Sequence, residues 1–457
     1  MIIPFGKTWN ITGCGWRFVV LGLALAGILA GAAEHGGPPP LRISENHRYL
    51  VDAQGRPFFL QGDAAWSLIA NTTREEAIQY LDNRRAQGFN AIVVNLLEHK
   101  FAAKAPRDAD GEAPFADPKD WTTTNERYFA HADWVIREAA RRGITVILFP
   151  AYLGYEGRDE GFYDEVLANG PEKCLAYGRF VGRRYRDFDN IIWVMGGDRD
   201  PGAAREDVDR IADGMREFDR RHLYTAHCHS DSNIAAQFPT STWLDLNTTY
   251  TYTIVHLSLL WNYERTPVRP NFLLETIYEG DPQFATELQM RRAGYWSILC
   301  GGFGYVMGNN PLWHFDPGWP TAMAAQSSVA MQHWGDLFRS RRWWELVPDR
   351  DHTVVTDGLG ERWGLDYTAA AATPDGKLVI AYMTAARTIT VDLAKMPAGD
   401  AKAWWFNPRT GETTKIGTIG TGAPRKFTPP GDGDWALVLD DATMQLPAPG
   451  AKSDEEK

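Results

Sequence analysis

The sequence has few cysteines and no excess of basic residues. Only four of its 457 residues are cysteine, and Cys174, Cys228 and Cys300 lie in separate stretches without a CxxC pair. This spacing does not support a zinc knuckle or a disulfide framework, so we expect buried free thiols and at most one disulfide. Lys and Arg total 47 against 58 Asp and Glu, a net charge of −11. General nucleic-acid binding needs a basic surface, so this charge argues against a nucleic-acid partner.

The motifs HExxH and GxSxG are also absent, which leaves a proteolytic mechanism without evident residues.

Long hydrophobic runs are lacking too, except for one near the N-terminus. Residues 18–30 are apolar, follow Lys7 and Arg17, and precede small residues, a pattern that predicts a signal peptide over 1–33. The run is too short to span a bilayer comfortably, and an uncleaved anchor is the alternative. A Pro-rich linker follows at 34–40. We therefore expect a periplasmic or secreted protein without an integral membrane partner.

Aromatic residues, by contrast, are abundant, with 18 Trp, 17 Tyr and 21 Phe. Such side chains supply both core and flat binding platforms, and we expect about two thirds of them in the core. Hydrophobic residues make up 44 % and charged residues 23 %, an ordinary globular composition. The aromatic residues outside the core are therefore candidates for ligand contacts.

Short apolar runs alternate with helical stretches over residues 41–346, the pattern of βα units around a parallel sheet. Each run is nearly continuous, as strands covered on both faces should be. Eight such runs predict an α/β fold of the (β/α)8 type, a TIM barrel. The runs are 58–63, 90–97, 144–153, 190–198, 223–229, 244–250, 271–278 and 303–309.

A different pattern begins near residue 350, where short strands are separated by Gly, Pro and Asp turns without long helices. This predicts a small antiparallel β-sandwich over 350–441. Trp404 and Trp405 are neighbours on one strand, so one of them must face inward. We expect this module to pack on the barrel and stabilise it. The polar stretch 442–457 is predicted to be a disordered tail.

Active sites of (β/α)8 barrels gather at the C-terminal ends of the strands. Two carboxylates occur there: Asp198 follows two glycines at the end of the fourth run, and Glu275 follows the apolar start of the seventh. Strands 4 and 7 lie across the barrel mouth, so both groups could flank one glycosidic bond. Retaining glycosidases hold their carboxyl groups roughly 5–5.5 Å apart. The alternative is that either carboxylate caps a helix or pairs with an arginine such as Arg199 or Arg291.

Other side chains near the strand ends are candidates for substrate contacts. Neutral His, Asn and Tyr hydrogen-bond sugar hydroxyls, and Trp offers a flat apolar face to a sugar ring. The candidates are Asp63, Trp66, Asn95, His99, Tyr152, His227, Tyr250, Asn309 and Trp313. We expect no metal and no other cofactor at this site.

Residues 41–346 resemble the apiosidase-like catalytic domain of glycoside hydrolase family 140, and residues 350–440 resemble the collagen-binding-type β-domain that often follows it. The resemblance is carried by NHRYLVDAQGRPFFLQGDAAW, GFNAIVVNLL, IIWVMGGDRDP, FLLETIYEG and GGFGYVMGNNPLW. It implies a retaining barrel in which Asp198 is the acid/base and Glu275 the nucleophile. Many enzymes of this clan carry Asn-Glu where this chain has Gly197-Asp198, so another residue must hold the sugar 2-hydroxyl.

We therefore expect an exported retaining glycoside hydrolase, apiosidase-like on pectic side chains, that acts on its carbohydrate substrate as a monomer. An Asp serving as an acid at neutral pH needs a raised pKa. The first alternative is a non-catalytic carbohydrate-binding barrel, against which the presence of both carboxylates argues. The second is a collagen-directed protease, but nothing in this acidic sequence supports collagen binding.

Overall fold

The computed structural model describes residues 40–281 and 285–451. The predicted signal peptide at 1–33, most of the linker at 34–40 and residues 452–457 lie outside the described residues. Among the described helices, none combines the length and apolar character needed to cross a lipid bilayer.

Eight parallel strands form the barrel, and each coincides with a predicted apolar run. They are β1 (Leu60–Ala64), β2 (Ala91–Asn95), β3 (Thr145–Phe149), β4 (Ile191–Gly196), β5 (Leu223–His227), β6 (Asn247–Tyr250), β7 (Asn271–Glu275) and β8 (Gly304–Met307). Hydrogen-bonded neighbours run in the order β5-β4-β3-β2-β1-β8-β7-β6. The predicted (β/α)8 barrel is therefore confirmed.

Strands β5 and β6 form no regular ladder, and threonine side chains supply hydrogen bonds between them. Thr225 Oγ1 donates a hydrogen bond to the carbonyl of Leu246 at 2.9 Å, and Thr248 Oγ1 donates to the carbonyl of Ala226 at 2.6 Å. Buried carbonyl groups need a partner, and here hydroxyl groups satisfy them where a regular ladder is missing.

Helices cover the outside of the barrel. They are α1 (Leu68–Asn71), α2 (Arg74–Ala86), α3 (Glu126–Arg141), α4 (Tyr163–Tyr185), α5 (Arg205–Arg216), α6 (Ile234–Gln237), α7 (Val255–Glu264), α8 (Glu287–Leu299), α9 (Trp319–Ala322) and α10 (Gln326–Arg339). Helix α2 begins after Thr73, whose side chain accepts from the amide of Glu76 in a capping box. Three short strands precede the barrel, at Arg42–Ile43, Leu50–Val51 and Pro57–Phe58.

The C-terminal domain consists of two antiparallel sheets, as predicted. Its strands are β9 (Val347–Pro348), β10 (Val355–Asp357), β11 (Ala369–Ala372), β12 (Leu378–Met383), β13 (Ile389–Asp392), β14 (Asp400–Phe406), β15 (Thr413–Gly420), β16 (Pro424–Phe427) and β17 (Trp435–Asp441). One sheet has the order β9-β11-β12-β17-β14-β15 and the other β10-β13-β16. Trp405 is buried in the core of this domain, whereas Trp404 packs against the apolar cluster shared with the barrel.

Buried ion pairs and a shared apolar core join the two domains. Arg291 of α8 donates two hydrogen bonds to Asp434, at 2.9 and 3.0 Å. Arg341, just after α10, donates two to Asp440, both at 2.8 Å. Residues of both domains contribute to one apolar cluster. The sandwich is thus an extension of the barrel core.

Part of the predicted disordered tail is ordered. The turn Ala442–Met444 is a 3-10 helix, and the carbonyl of Pro447 accepts a hydrogen bond from Arg341 at 2.9 Å. The amide of Gly450 donates to Ser340 Oγ at 2.9 Å. The prediction is therefore wrong for residues 442–451, because their polar backbone groups find partners on the barrel.

The three cysteines of the described residues are buried and unpaired, as expected. Burial raises the pKa of the Cys174 thiol to about 12, and it also raises the pKa of Cys228 and of Cys300. Because the thiolate is the reactive form, these thiols act as core side chains.

Candidate active site

Strand β4 ends in a turn that carries Asp198 into the barrel mouth. Gly197 has φ +143° and Asp198 has φ +53°, so both residues lie on the positive side of φ. A Cβ atom on Gly197 would lie 2.3 Å from Cδ2 of Tyr152. Only glycine therefore fits between the turn and this ring, and its absent side chain lets Tyr152 approach the carboxyl group of Asp198.

The Asp198 carboxyl group accepts hydrogen bonds from two tyrosines. The hydroxyl of Tyr152 donates to Oδ2 at 3.2 Å, and the hydroxyl of Tyr250 donates to Oδ1. The main-chain amide of Asp198 donates to Nδ1 of His227 at 2.7 Å. Its partners thus come from the ends of β3, β5 and β6, which only the closed barrel brings together.

Glu275 ends β7 and lies beside the same histidine. Its Oε1 accepts a hydrogen bond from the hydroxyl of Tyr252 at 3.2 Å, and its Oε2 lies 3.0 Å from Nε2 of His227. Because Nδ1 of His227 accepts the amide hydrogen of Asp198, the ring proton is on Nε2 and faces Glu275. This contact lies off the line of an ideal hydrogen bond. His227 therefore links the two carboxylate-bearing strands.

The environment of Asp198 favours its protonated form. Burial, followed by the negative charge of Glu275, raises the pKa of Asp198 to about 6. Hydrogen bonds from Tyr250 and Tyr152 act in the opposite direction and limit the rise. Burial and the same carboxylates raise the pKa of both tyrosines, which keeps them as hydroxyl donors. The site therefore holds a carboxylic acid that titrates within the mildly acidic range.

Aromatic side chains form one wall of the site. The ring of Trp66 lies 5.4 Å from that of Tyr152 and 6.1 Å from that of His227, between centroids. Its Nε1 donates to the hydroxyl of Tyr278 at 2.8 Å. Trp313, half-buried, extends the wall at 6.4 Å from the ring of Tyr278. Flat apolar faces next to hydroxyl groups suit sugar rings.

The structure thus brings together most of the predicted site residues. Asp198, Glu275, Trp66, Tyr152, His227 and Tyr250 form one connected cluster, with Trp313 at its edge through Tyr278.

Asn95 and Asn309 also lie at strand ends and are almost fully buried. Nδ2 of Asn309 donates to Glu279 at 2.6 Å, which anchors that amide. The Oδ1 atoms of both asparagines find no hydrogen-bond partner among the described residues. Each of these oxygens remains able to accept a hydrogen bond.

Asp63 does not belong to the site, and its prediction as a substrate contact is wrong. Its side chain is fully buried and accepts hydrogen bonds from the hydroxyl of Tyr80 at 2.7 Å and from Arg84 at 3.4 Å. Both partners are on α2. Side chains alternate across a strand, and in β1 this alternation directs Asp63 toward the covering helix.

His99 is likewise outside the carboxylate cluster, contrary to its prediction as a substrate contact there. Its Nε2 lies 3.2 Å from Glu165 of α4, and its ring meets Phe162 edge to face at 4.8 Å. These residues line a cavity of about 270 Å³ with Phe115 and four other loop residues. The hydrogen bond with Glu165 holds His99 in that cavity.

Two residues that contact the site were not predicted, nor was a third group, Glu98, in the loop after β2. Tyr252 contacts Glu275, and Tyr278 contacts Trp66; Tyr252 follows Tyr250 by two positions in TTYTYT, a spacing that places both on one side of an extended chain. Glu98 is buried and accepts from Ser67 Oγ at 2.7 Å. Burial raises the pKa of Glu98 to about 7. No local pattern marks Glu98, because its partner lies in the loop after β1.

Neither arginine named as an alternative partner contacts the carboxylates. The guanidinium of Arg199 lies over the ring of Tyr163 at 3.5 Å, and Arg291 pairs with Asp434. Across residues 40–281 and 285–451, no group of three or more His, Cys, Asp or Glu side chains is arranged to hold a metal ion. Asp198 and Glu275 are two carboxyl groups with different surroundings, and such a pair is suited to proton transfer and nucleophilic attack.

Each of the two domains matches the model of a known protein family. Residues 44–345 match the model described as "Apiosidase-like, catalytic domain", and residues 347–440 match the model of a domain described as the collagen-binding domain of a collagenase. A solved glycoside hydrolase is 24 % identical, with a TM-score of 0.79 over 89 % of this chain and 97 % of its own. A glycoside hydrolase family 5 structure from Bacteroides vulgatus ATCC 8482 is 25 % identical, with a TM-score of 0.79 over 88 % of this chain and 94 % of its own. No curated protein matches the chain.

Proposed function

The chain belongs to the apiosidase-like family of glycoside hydrolases, and on this premise we propose that it is an exported retaining glycosidase that cleaves O-glycosidic bonds in a polysaccharide. We further propose apiosidase-like action on pectic side chains. The observation that carries the mechanism is the pair of carboxyl groups of Asp198 and Glu275, which lie close enough for the charge of Glu275 to raise the pKa of Asp198. Asp198 is the acid/base and Glu275 the nucleophile.

In the first step, Asp198 gives its proton to the oxygen of the leaving group while Glu275 attacks the anomeric carbon. The glycosidic bond breaks, and a covalent glycosyl ester forms on Glu275. The raised pKa of Asp198, about 6, supports this role because a protonated fraction is present at mildly acidic pH.

In the second step, water attacks the anomeric carbon, the ester bond to Glu275 breaks and frees its carboxylate, and Asp198 accepts the proton from the water. Glu275 carries no charge while it is esterified, and that charge is the second cause of the raised pKa of Asp198. The pKa of Asp198 therefore falls in the intermediate, which favours the carboxylate needed for a base. One residue thus serves both steps because its partner changes charge between them.

The remaining cluster residues position the reacting groups and the sugar. Tyr250 and Tyr152 orient the carboxyl group of Asp198, and Tyr252 orients that of Glu275. Trp66 supplies an apolar face for the sugar ring. Asn95, with a buried and unpaired Oδ1, is our candidate for holding the sugar 2-hydroxyl that an Asn-Glu motif would otherwise bind.

The test is product analysis on a panel of pectic and hemicellulosic glycans, with NMR of the freshly released anomer. We expect release of a sugar from a pectic side chain with its anomeric configuration retained. A product of inverted configuration would contradict the double displacement. Binding without hydrolysis of any glycan or aryl glycoside would instead favour a non-catalytic carbohydrate-binding barrel.

A further inference from the structure

Two tryptophans remain strongly exposed although most of the aromatic residues are buried. Trp261 is 49 % exposed and Trp363 is 65 % exposed, more than any other tryptophan of the described residues. Trp261 is on α7 of the barrel, and Trp363 is in the loop 358–368 between β10 and β11 of the sandwich. Their ring centroids nevertheless lie only 6.3 Å apart, with an angle of 55° between the planes. Two domains thus each contribute one indole to the same patch.

Buried contacts hold the loop of Trp363 against the barrel. Nε2 of His256, on α7, lies 2.7 Å from the carbonyl oxygen of Arg362, and the ring of His256 stacks on Tyr367 at 4.3 Å. Arg292 of α8 donates to the carbonyl of Leu365 at 3.1 Å. The loop is therefore anchored on both sides of Trp363. These contacts between the domains hold the indole in its exposed position.

The size and chemistry of the patch favour a sugar chain over a protein. The exposed parts of two indoles amount to on the order of 300 Å², whereas a stable protein interface buries about 800 Å² on each partner. The neighbouring Leu365 is also exposed, and its side chain does not bring the patch to that size. Indole faces match the C–H faces of sugar rings. Arg350 and Glu264, which pair with each other beside the C-terminal end of α7, provide polar groups for sugar hydroxyls.

We propose that Trp261 and Trp363 form a second carbohydrate-binding surface, outside the catalytic site, for a segment of a polysaccharide chain. The surface spans the contact between barrel and sandwich and gives the sandwich a part in substrate binding. The proposal depends on the proposed function only in taking a polysaccharide as the ligand.

The experiment is affinity gel electrophoresis of the full chain in gels that contain pectin rich in rhamnogalacturonan, arabinoxylan or glucomannan. All proteins carry Glu275→Gln so that the polymer stays intact. We expect at least one polymer to retard the parent protein, and Trp261→Ala/Trp363→Ala to weaken its affinity at least tenfold. Trp261→Phe/Trp363→Phe keeps aromatic faces and should retain most of the retardation. Leu167→Ala, which removes an apolar side chain 38 % exposed on α4, is the matched control and should behave as the parent.

The proposal is overturned if none of the three polymers retards the parent protein, or if the double alanine variant is retarded equally. It is also overturned if the parent is a dimer in sedimentation analysis and the double variant a monomer, since the patch is then a contact between two copies. Retardation is measured without turnover, so it tests this surface even if the wild-type protein hydrolyses no glycan. Hydrolysis by the wild-type protein without retardation would reject the surface and leave the proposed function intact.

Discussion

His227 accepts the main-chain amide hydrogen of Asp198 at Nδ1, with 2.7 Å between the nitrogens. This bond fixes the other ring nitrogen as the protonated one, 3.0 Å from Glu275. The backbone of the proposed acid and the side chain of the proposed nucleophile therefore share one imidazole.

Removing either carboxyl group should abolish turnover without unfolding the protein. Asp198→Asn and Glu275→Gln keep the shape of the side chains, and we expect each to lower kcat by about 10⁴-fold because the proton or the nucleophile is missing. The measurement is steady-state hydrolysis of a glycoside whose leaving group needs protonation, with circular dichroism as the control for folding. Near-wild-type activity would remove that residue from the mechanism.

Asp198→Asn should also stabilise the protein above pH 6. Because the native pKa of about 6 exceeds the unfolded value near 3.8, the native state binds more protons between these values, and stability falls as pH rises through this window. A shift of this size corresponds to about 2–3 kcal/mol. Asn cannot ionise, and it tolerates the positive φ of this position.

The measurement for this effect is the melting temperature at pH 4 and at pH 7. We expect the gain in melting temperature of Asp198→Asn over the wild type to be larger at pH 7 than at pH 4. Asp187→Asn, whose side chain is 80 % exposed, is the matched control and should show no such gain. An advantage equal at both pH values would show that ionisation of Asp198 is not its cause.

The alkaline limb of activity should report the pKa of Asp198. Wild-type kcat/KM should fall as pH rises through about 6, because the acid is lost. The hydrogen bond from Tyr250 lowers that pKa, so Tyr250→Phe should move the limb to higher pH. Tyr252→Phe removes a hydroxyl from Glu275 instead, and its limb should move less. The check is a pH profile of kcat/KM, and a limb shifted to lower pH in Tyr250→Phe would contradict this assignment.

Gly197→Ala should impair catalysis through Tyr152. The added methyl group would lie 2.3 Å from the Tyr152 ring and must displace the ring or the turn. We expect kcat to fall 10- to 100-fold, since a small misplacement of a reacting group has a large effect on rate. Gly420→Ala, at a glycine with no atom near its Cβ position, is the control. An unchanged kcat would show that the position of the Tyr152 ring does not affect the rate of turnover.

The ion pair between Arg341 and Asp440 should couple the two domains. Both side chains are almost fully buried, so Asp440→Asn leaves a buried cation without its counter-charge. We expect this variant to lower the free energy of unfolding by about 3–5 kcal/mol. Arg341→Met/Asp440→Leu removes both charges and should lower the free energy of unfolding by less. Urea unfolding followed by fluorescence measures these differences, and we expect one transition in the wild type because the domains share an apolar core. Two separate wild-type transitions would contradict that coupling.

The positions of the barrel strands and of the two carboxyl groups were predictable from local pattern. Continuous apolar runs marked all eight strands, Asp198 stood at the end of the fourth run, and Glu275 followed the apolar start of the seventh. The direction of an individual side chain was harder to predict from local pattern. Asp63 ends an apolar run as Asp198 does, yet it faces α2 and pairs with Arg84. The predictions for His99 and for the segment 442–451 were also wrong, because the partners of these residues lie far away along the chain.

The sequence by itself determined the order of strands and helices, the change to a β-domain near residue 350 and the presence of carboxyl groups at two strand ends. Those features follow from local hydrophobicity and turn chemistry. Only the tertiary structure decided which groups meet: His227 between the backbone of Asp198 and the side chain of Glu275, Tyr250 against Asp198, and Trp261 beside Trp363. These contacts join residues 29 to about 100 positions apart, and burial among them sets the pKa of Asp198.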